Sequence, residues 1–127
     1  MILIVDDSPT DIELTEIALK ATGREMSLLS ALDGKSALSM LRRGGAMPAL
    51  ILLDLKMPGM GGIDVLHEIR DDDRLKEIPV VVVTSSALES DRADAIAAGA
   101  SCYIQKPLAL AQFSKSLETL VQRWLPD

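Results

Sequence analysis

Cysteine is nearly absent. Cys102 stands alone, so no internal disulfide can form, and a reducing compartment is expected. Histidine is equally scarce, and His67 with one cysteine cannot build a zinc centre. The aromatics are Tyr103, Phe113 and Trp124, too few for a base-stacking platform. Positive charge is in deficit: 13 Lys and Arg against 19 Asp and Glu leave a net charge of −6, which argues against a broad nucleic-acid-binding face. No apolar run approaches the roughly 18 residues that cross a bilayer; Leu50–Leu53 is typical of the longest. The N-terminus passes from Ile2-Leu3-Ile4-Val5 straight into Asp6-Asp7, without the basic start or longer apolar stretch of an export signal. Repeats and low-complexity tracts are missing as well. These absences predict a cytoplasmic protein with no nucleic-acid and no membrane partner.

What is present suits one domain spanning residues 1–127, with 48% apolar and 25% charged residues. Short apolar runs at Ile2–Val5, Met26–Ala31, Leu50–Leu53, Val80–Thr84 and Cys102–Gln105 alternate with longer helical patterns. Three of the runs are nearly unbroken leucine and β-branched residues, the pattern of strands covered on both faces. Apolar stripes at helical spacing follow: Leu14, Ile17, Ala18 and Ala21; Leu38 and Leu41; Val65, Leu66 and Ile69; then Phe113, Leu117, Leu120, Val121 and Trp124. Ser8 precedes Pro9 and has Asp11 three residues on, a helix start; Gly23 and Gly99 follow helical runs. Five strand–helix units predict an α/β protein with a parallel sheet and helices on both faces.

In an open parallel sheet, ligands bind beyond the carboxyl ends of the strands. Asp6 and Asp7 follow the first run, Asp54 follows the third, Thr84 and Ser85 end the fourth, and Lys106-Pro107 follows the fifth. Only Asp33-Gly34 follows the second. One aspartate after a strand serves equally well as a turn or cap residue. Three together repel one another unless cations intervene. Lys106 supplies one positive charge, and a hard divalent ion with oxygen ligands, Mg²⁺ first, supplies two more. Serine chemistry at Ser85 or Thr84 would need a base, and His67 sits mid-helix between core positions, facing solvent. A carboxylate needs no base to attack phosphorus, which favours phosphoryl transfer onto Asp54.

At Val5-Asp6-Asp7-Ser8-Pro9, at Leu53-Asp54-Leu55-Lys56-Met57-Pro58-Gly59-Met60-Gly61-Gly62, at Val83-Thr84-Ser85-Ser86 and at Tyr103-Ile104-Gln105-Lys106-Pro107, the chain closely resembles the receiver domain of two-component response regulators. The resemblance covers nearly all of it. It implies a flavodoxin-like doubly wound fold: five parallel strands in the order 2-1-3-4-5 with five helices. By position it makes Asp54 the phosphoacceptor, Asp7 and Asp54 direct carboxylate ligands of Mg²⁺, Asp6 a ligand through water, and Lys56 the donor of a backbone carbonyl. Lys106 becomes the lysine that contacts the phosphoryl group, its bond to Pro107 cis. Thr84 and Tyr103 become a switch pair: the Thr84 hydroxyl turns toward a phosphoryl oxygen and the Tyr103 ring fills the vacated space, altering the surface of the fourth helix, fifth strand and fifth helix. Lys56 and Ser86 flank the mouth, where the family tunes the lifetime of the phosphorylated state.

The implied partner is a sensor histidine kinase or histidine phosphotransfer protein, and the chain would be a signalling domain rather than an enzyme with turnover. A stand-alone regulator is expected, since the fifth helix ends near Leu125. The Cys102–Pro107 stretch, Gln112-Phe113, Trp124-Leu125 and the Asp71–Pro79 connection are similar to single-domain receivers paired with phytochrome kinases. An apolar face on the last helix would support a homodimer. Two rivals stand beside this reading. An aspartate phosphohydrolase would want a second carboxylate two residues after Asp54, where Lys56 stands. A degenerate receiver would act as a binding module independent of phosphorylation. Met57 and Met60 are expected to pack, Gly59, Gly61 and Gly62 to turn the backbone over the site, Asp71-Asp72-Asp73 to be solvated, and Cys102 to open a buried strand.

Overall fold

The computed structural model describes residues 1–45, 47–106 and 109–125. Ten elements alternate: β1 (Ile2–Val5), α1 (Pro9–Lys20), β2 (Leu28–Ala31), α2 (Gly34–Arg42), β3 (Leu50–Leu53), α3 (Gly62–Asp71), β4 (Val80–Thr84), α4 (Glu89–Ala97), β5 (Cys102–Gln105) and α5 (Leu110–Trp124). All strand pairings are parallel, in the order β2-β1-β3-β4-β5. The expected class and strand order are therefore both present.

Alternation along the strands sends side chains to two cores. Leu3, Val5, Ile51, Leu53, Val80 and Val82 meet Leu38 and Leu41 of α2, Val65, Leu66 and Ile69 of α3, and Ala95 of α4. Ile2, Ile4, Leu50, Leu52, Val81 and Val83 meet Ile12, Ala18 and Leu19 of α1 and Phe113, Leu117, Leu120 and Val121 of α5. The three inner strands are buried throughout, as their unbroken apolar runs predict. The outer strands are not. β2 begins at Leu28 rather than Met26, and Leu29 and Ser30 are exposed. Cys102 is half-buried, because β5 has a neighbour on one side only.

The α1 stripe also differs from its expectation. Leu14 and Ile17 are 46% and 43% exposed, and the buried face is Ile12, Thr15, Ala18 and Leu19. Thr15 can turn inward because its hydroxyl donates to the Asp11 carbonyl at 2.9 Å. The apolar face of α5, expected to support a dimer, is spent on the molecule's own sheet: Phe113, Leu117, Leu120 and Val121 are buried. Met57 and Met60 pack in the first core, and His67 is exposed.

Candidate functional site

The ladder carries the polar residues to one edge. Just past each strand, backbone bonds continue for one more residue. The Asp6 amide donates to the Ala31 carbonyl at 3.1 Å, the Asp54 amide to Val5 at 2.8 Å, and the Lys106 amide to Thr84 at 2.6 Å. Val5 is in register with Leu53, so Asp6 and Asp54 leave neighbouring strands side by side. Asp7 is the next residue, and carboxylate oxygens of Asp6, Asp7 and Asp54 lie within 4.8 Å of one another. Asp6 and Asp54 are buried, Asp7 exposed.

Helix starts fix the surroundings. The Ser8 amide donates to Asp6 Oδ1 at 2.9 Å, and Ser8 Oγ caps α1 by accepting from the Asp11 amide at 3.2 Å. Behind Asp54 the chain turns at Gly59, whose φ is +73°, and returns so that the Gly62 amide donates to the Leu55 carbonyl at 3.0 Å. A Cβ at Gly62 would sit 2.5 Å from the Asp54 carbonyl oxygen and 2.8 Å from Leu55 Cα. Only glycine lets α3 start against the loop that follows Asp54. Asp33, after β2, is spent on capping α2, where it accepts from the Ser36 amide at 2.7 Å.

Lys106 Nζ donates to Asp6 Oδ2 and to Asp11 Oδ2, both at 3.0 Å. The second partner was not among the expected site residues. Its only sequence signal is its place three residues after Ser8, which puts a carboxylate in the first turn of α1, at the carboxyl edge. Burial alone would lower the Lys106 pKa, but the bonds to Asp6 and Asp11 and the charges of Asp6 and Asp54 more than offset it, so the net shift is upward. The Asp54 carboxyl is also pushed up, first by burial and then by the charge of Asp6; the Lys106 charge, the Thr84 hydroxyl and the Lys56 amide pull less strongly the other way. Three carboxylates this close, with Asp54 pushed up by burial and by the charge of Asp6, fit a hard divalent cation by their donor chemistry.

The other expected residues gather at the mouth. Thr84 is fully buried, and its hydroxyl oxygen accepts from the Ser86 amide at 3.4 Å. The Tyr103 hydroxyl donates to the Ser86 carbonyl at 3.0 Å, its ring half-buried with Arg92 5.9 Å from the centroid. Lys56 is exposed and turns its ammonium to Asp91 of α4, 3.2 Å away. Ser85 lines a neighbouring groove with Asp11, Leu14, Lys106, Leu110 and Phe113. Pro107 lies outside the described residues, and with it the expected cis bond.

Known proteins are similar to this chain in sequence and in fold. Residues 2–118 match the model of the response regulator receiver domain. The response regulator PleD of Caulobacter vibrioides is 36% identical over 132 aligned positions, covering 96% of this chain but 28% of PleD. The response regulator Rcp1 of Synechocystis is 35% identical over 130 positions, covering 98% of this chain and 88% of Rcp1. Among solved structures, the Mn²⁺-bound form of Rcp1 superposes with a TM-score of 0.85, covering 98% of this chain and 94% of that one at 35% identity. The phosphorylated cyanobacterial phytochrome response regulator RcpA gives 0.88, covering 98% and 93%, again at 35% identity. With residues 2–118 matched by the family model and relatives and folds matched over 98% of its length, the chain belongs to the response regulator receiver domain family.

Proposed function

We propose that Asp54 is the phosphoacceptor of this receiver domain. The observation that carries the reading is the meeting of Asp6, Asp7 and Asp54 within 4.8 Å, with Lys106 3.0 Å from Asp6. One Oδ of Asp54 forms a bond to phosphorus as the nitrogen–phosphorus bond of a phosphohistidine breaks; the electron pair stays on the imidazole. Lys106, on its flexible stem, can leave Asp6 or Asp11 for a phosphoryl oxygen. Thr84 holds a hydroxyl beside Asp54 and can donate to another. Asp6, Asp7 and Asp54, with the Lys56 carbonyl, are the residues that would hold Mg²⁺. The chemistry it supplies when bound is neutralisation of charge between the carboxylates and the incoming oxygens.

Receivers of this family take phosphoryl groups from histidine kinases. For this chain we infer a cytoplasmic receiver served by a histidine kinase or phosphotransfer protein, a phytochrome kinase by analogy with the phytochrome response regulator RcpA. The groove between α1 and α5, with exposed Leu14 and Leu110 beside Lys106, offers an apolar seat next to the acceptor. The Thr84–Tyr103 pair transmits loading to α4, β5 and α5. Leu88, Ile96 and Leu110, exposed on or beside α4 and α5, are what a homodimer through that surface would cover. Among the described residues no helix is long and apolar enough to cross a membrane.

Intact mass after incubation with acetyl phosphate tests the acceptor. A gain of one phosphoryl group that requires Mg²⁺ and is lost in Asp54→Asn is expected. No gain, or a gain that survives the substitution, refutes it and favours a binding module independent of phosphorylation. Light scattering with and without beryllofluoride tests the dimer, and a monomer in both refutes it.

A further inference from the structure

The side chains at the mouth form a closed ring, and one member is unexplained by the reaction. The Lys56 amide faces the Asp54 carboxylate, while its ammonium pairs with Asp91 Oδ2 at 3.2 Å. The same Asp91 oxygen accepts from the Ser86 hydroxyl. The Ser86 amide donates to Thr84 Oγ1 at 3.4 Å, and Thr84 faces Asp54 again. Ser86 also takes the Tyr103 hydroxyl on its carbonyl. Asp91 is the one member of this ring on α4. The rest of its start is held by the Leu88 amide, which donates to Ser86 Oγ at 3.3 Å, and by Arg92 over the Tyr103 ring; Leu88 at its N-cap makes no side-chain bond, and Ala95 is its one buried residue. The Asp91 side chain is 14% exposed and that of Lys56 62%, so the carboxylate is fixed and the ammonium is free to swing.

Resting on the reading of Asp54 as acceptor, we propose that Asp91 is a positioning residue for the reaction: it holds Lys56 across the mouth and Ser86 against α4, and a phosphoryl group that draws Lys56 away releases the first turn of α4. In the resting protein Asp91 competes with the incoming donor for the Lys56 ammonium, and that competition is its effect on the approach of an anionic donor. Charge complementarity at an entrance acts chiefly on encounter and binding. Loss of the Asp91 charge therefore lowers the apparent KM for a small donor.

Asp91→Asn keeps the shape and an oxygen for Ser86 but removes the ion pair. With Mg²⁺ present, its rate of loading from subsaturating acetyl phosphate rises about twofold to fivefold, the span of an exposed ion pair. In a Lys56→Met background the same substitution changes nothing further, because the two residues act as one unit. Without any donor, amide exchange at residues 88–92 speeds up in Asp91→Asn. Equal loading rates for the parent protein and Asp91→Asn, or the same gain with and without Lys56, overturn the proposal while leaving the acceptor assignment intact. Failure of the parent protein to load at all refutes the acceptor assignment and the proposal with it.

Discussion

Replacing Asp54 by asparagine, we predict, abolishes the proposed phosphorylation and strengthens the fold. Two unit charges 4.8 Å apart, the outer limit for the three carboxylates, repel by about 3 kcal/mol at an effective dielectric of about 20. Asp54 is 8% exposed and Asp6 5%, so water screens this pair poorly. Lys106 offsets part of the repulsion, and asparagine keeps an oxygen for the Thr84 hydroxyl and the Lys56 amide. A net gain of about 1–2 kcal/mol remains, which corresponds to roughly 3–8 °C in Tm for a domain of this size. The sign follows from linkage. Asp54 binds its proton more readily in the folded state, so its charge opposes folding above the raised pKa, and that cost fades as pH falls through it. The advantage of Asp54→Asn should therefore be full near pH 7.5 and shrink toward the ordinary carboxylate range. Mg²⁺ should act in the opposite direction on the comparison, raising the parent protein's Tm more than the variant's, since binding at 100 times Kd is worth about 2.7 kcal/mol. Differential scanning calorimetry at low ionic strength, in chelator and in millimolar Mg²⁺, reads both effects. A lower Tm for Asp54→Asn in chelator, or equal responses to Mg²⁺, would refute the argument that mutual repulsion in this cluster is what a metal relieves.

Other perturbations separate scaffold from site. Gly62→Ala forces a Cβ against the Asp54 carbonyl oxygen at 2.5 Å; it should cost about 1–3 kcal/mol in urea unfolding and slow loading as well. Arg70→Met should destabilise by about 1–3 kcal/mol without changing loading, because its guanidinium bonds the carbonyls of Gly99, Lys76 and Ile78, far in the chain from the acceptor. Lys106→Met should leave Mg²⁺ able to raise Tm but reduce loading from acetyl phosphate at least tenfold, measured by intact mass. Because the Lys106 pKa is raised, its stabilising contribution is complete below 10.5 and lost as pH climbs through the raised value; the difference in stability between the parent protein and Lys106→Met should narrow there.

The fold was largely legible because its signals are local and redundant. Unbroken Ile2–Val5, Leu50–Leu53 and Val80–Thr84 announce strands with cover on both faces, and five alternations leave few topologies. The order of the strands came from the resemblance, not from periodicity. Where periodicity misled, a polar residue occupied an inner position. Thr15 is buried on α1 because its hydroxyl bonds back to Asp11, whereas the more apolar Leu14 and Ile17 point to solvent. Similarly, the α5 stripe was correctly placed but could not say which surface it covers; the sheet takes it.

The site divides along the same physical line. Asp6, Asp54, Thr84 and Lys106 were visible because each sits at or just beyond the end of a strand, and a parallel ladder brings strand ends together whatever the helices do. Asp11 and Asp91 were not visible, because their places depend on where helix starts land against the sheet. α4 carries three acidic residues, Glu89, Asp91 and Asp94, and nothing in the spacing says which one meets Lys56. That contact is set by the azimuth of a helix with one buried residue, a quantity the sequence encodes weakly. The same weakness has a functional side. A helix anchored by Ala95 and by charges at its N-terminus is one that a single new charge at Asp54 can shift, while β1, β3 and β4, buried on both faces, stay fixed. The residues hardest to infer from sequence are therefore the ones that the phosphoryl group is expected to move.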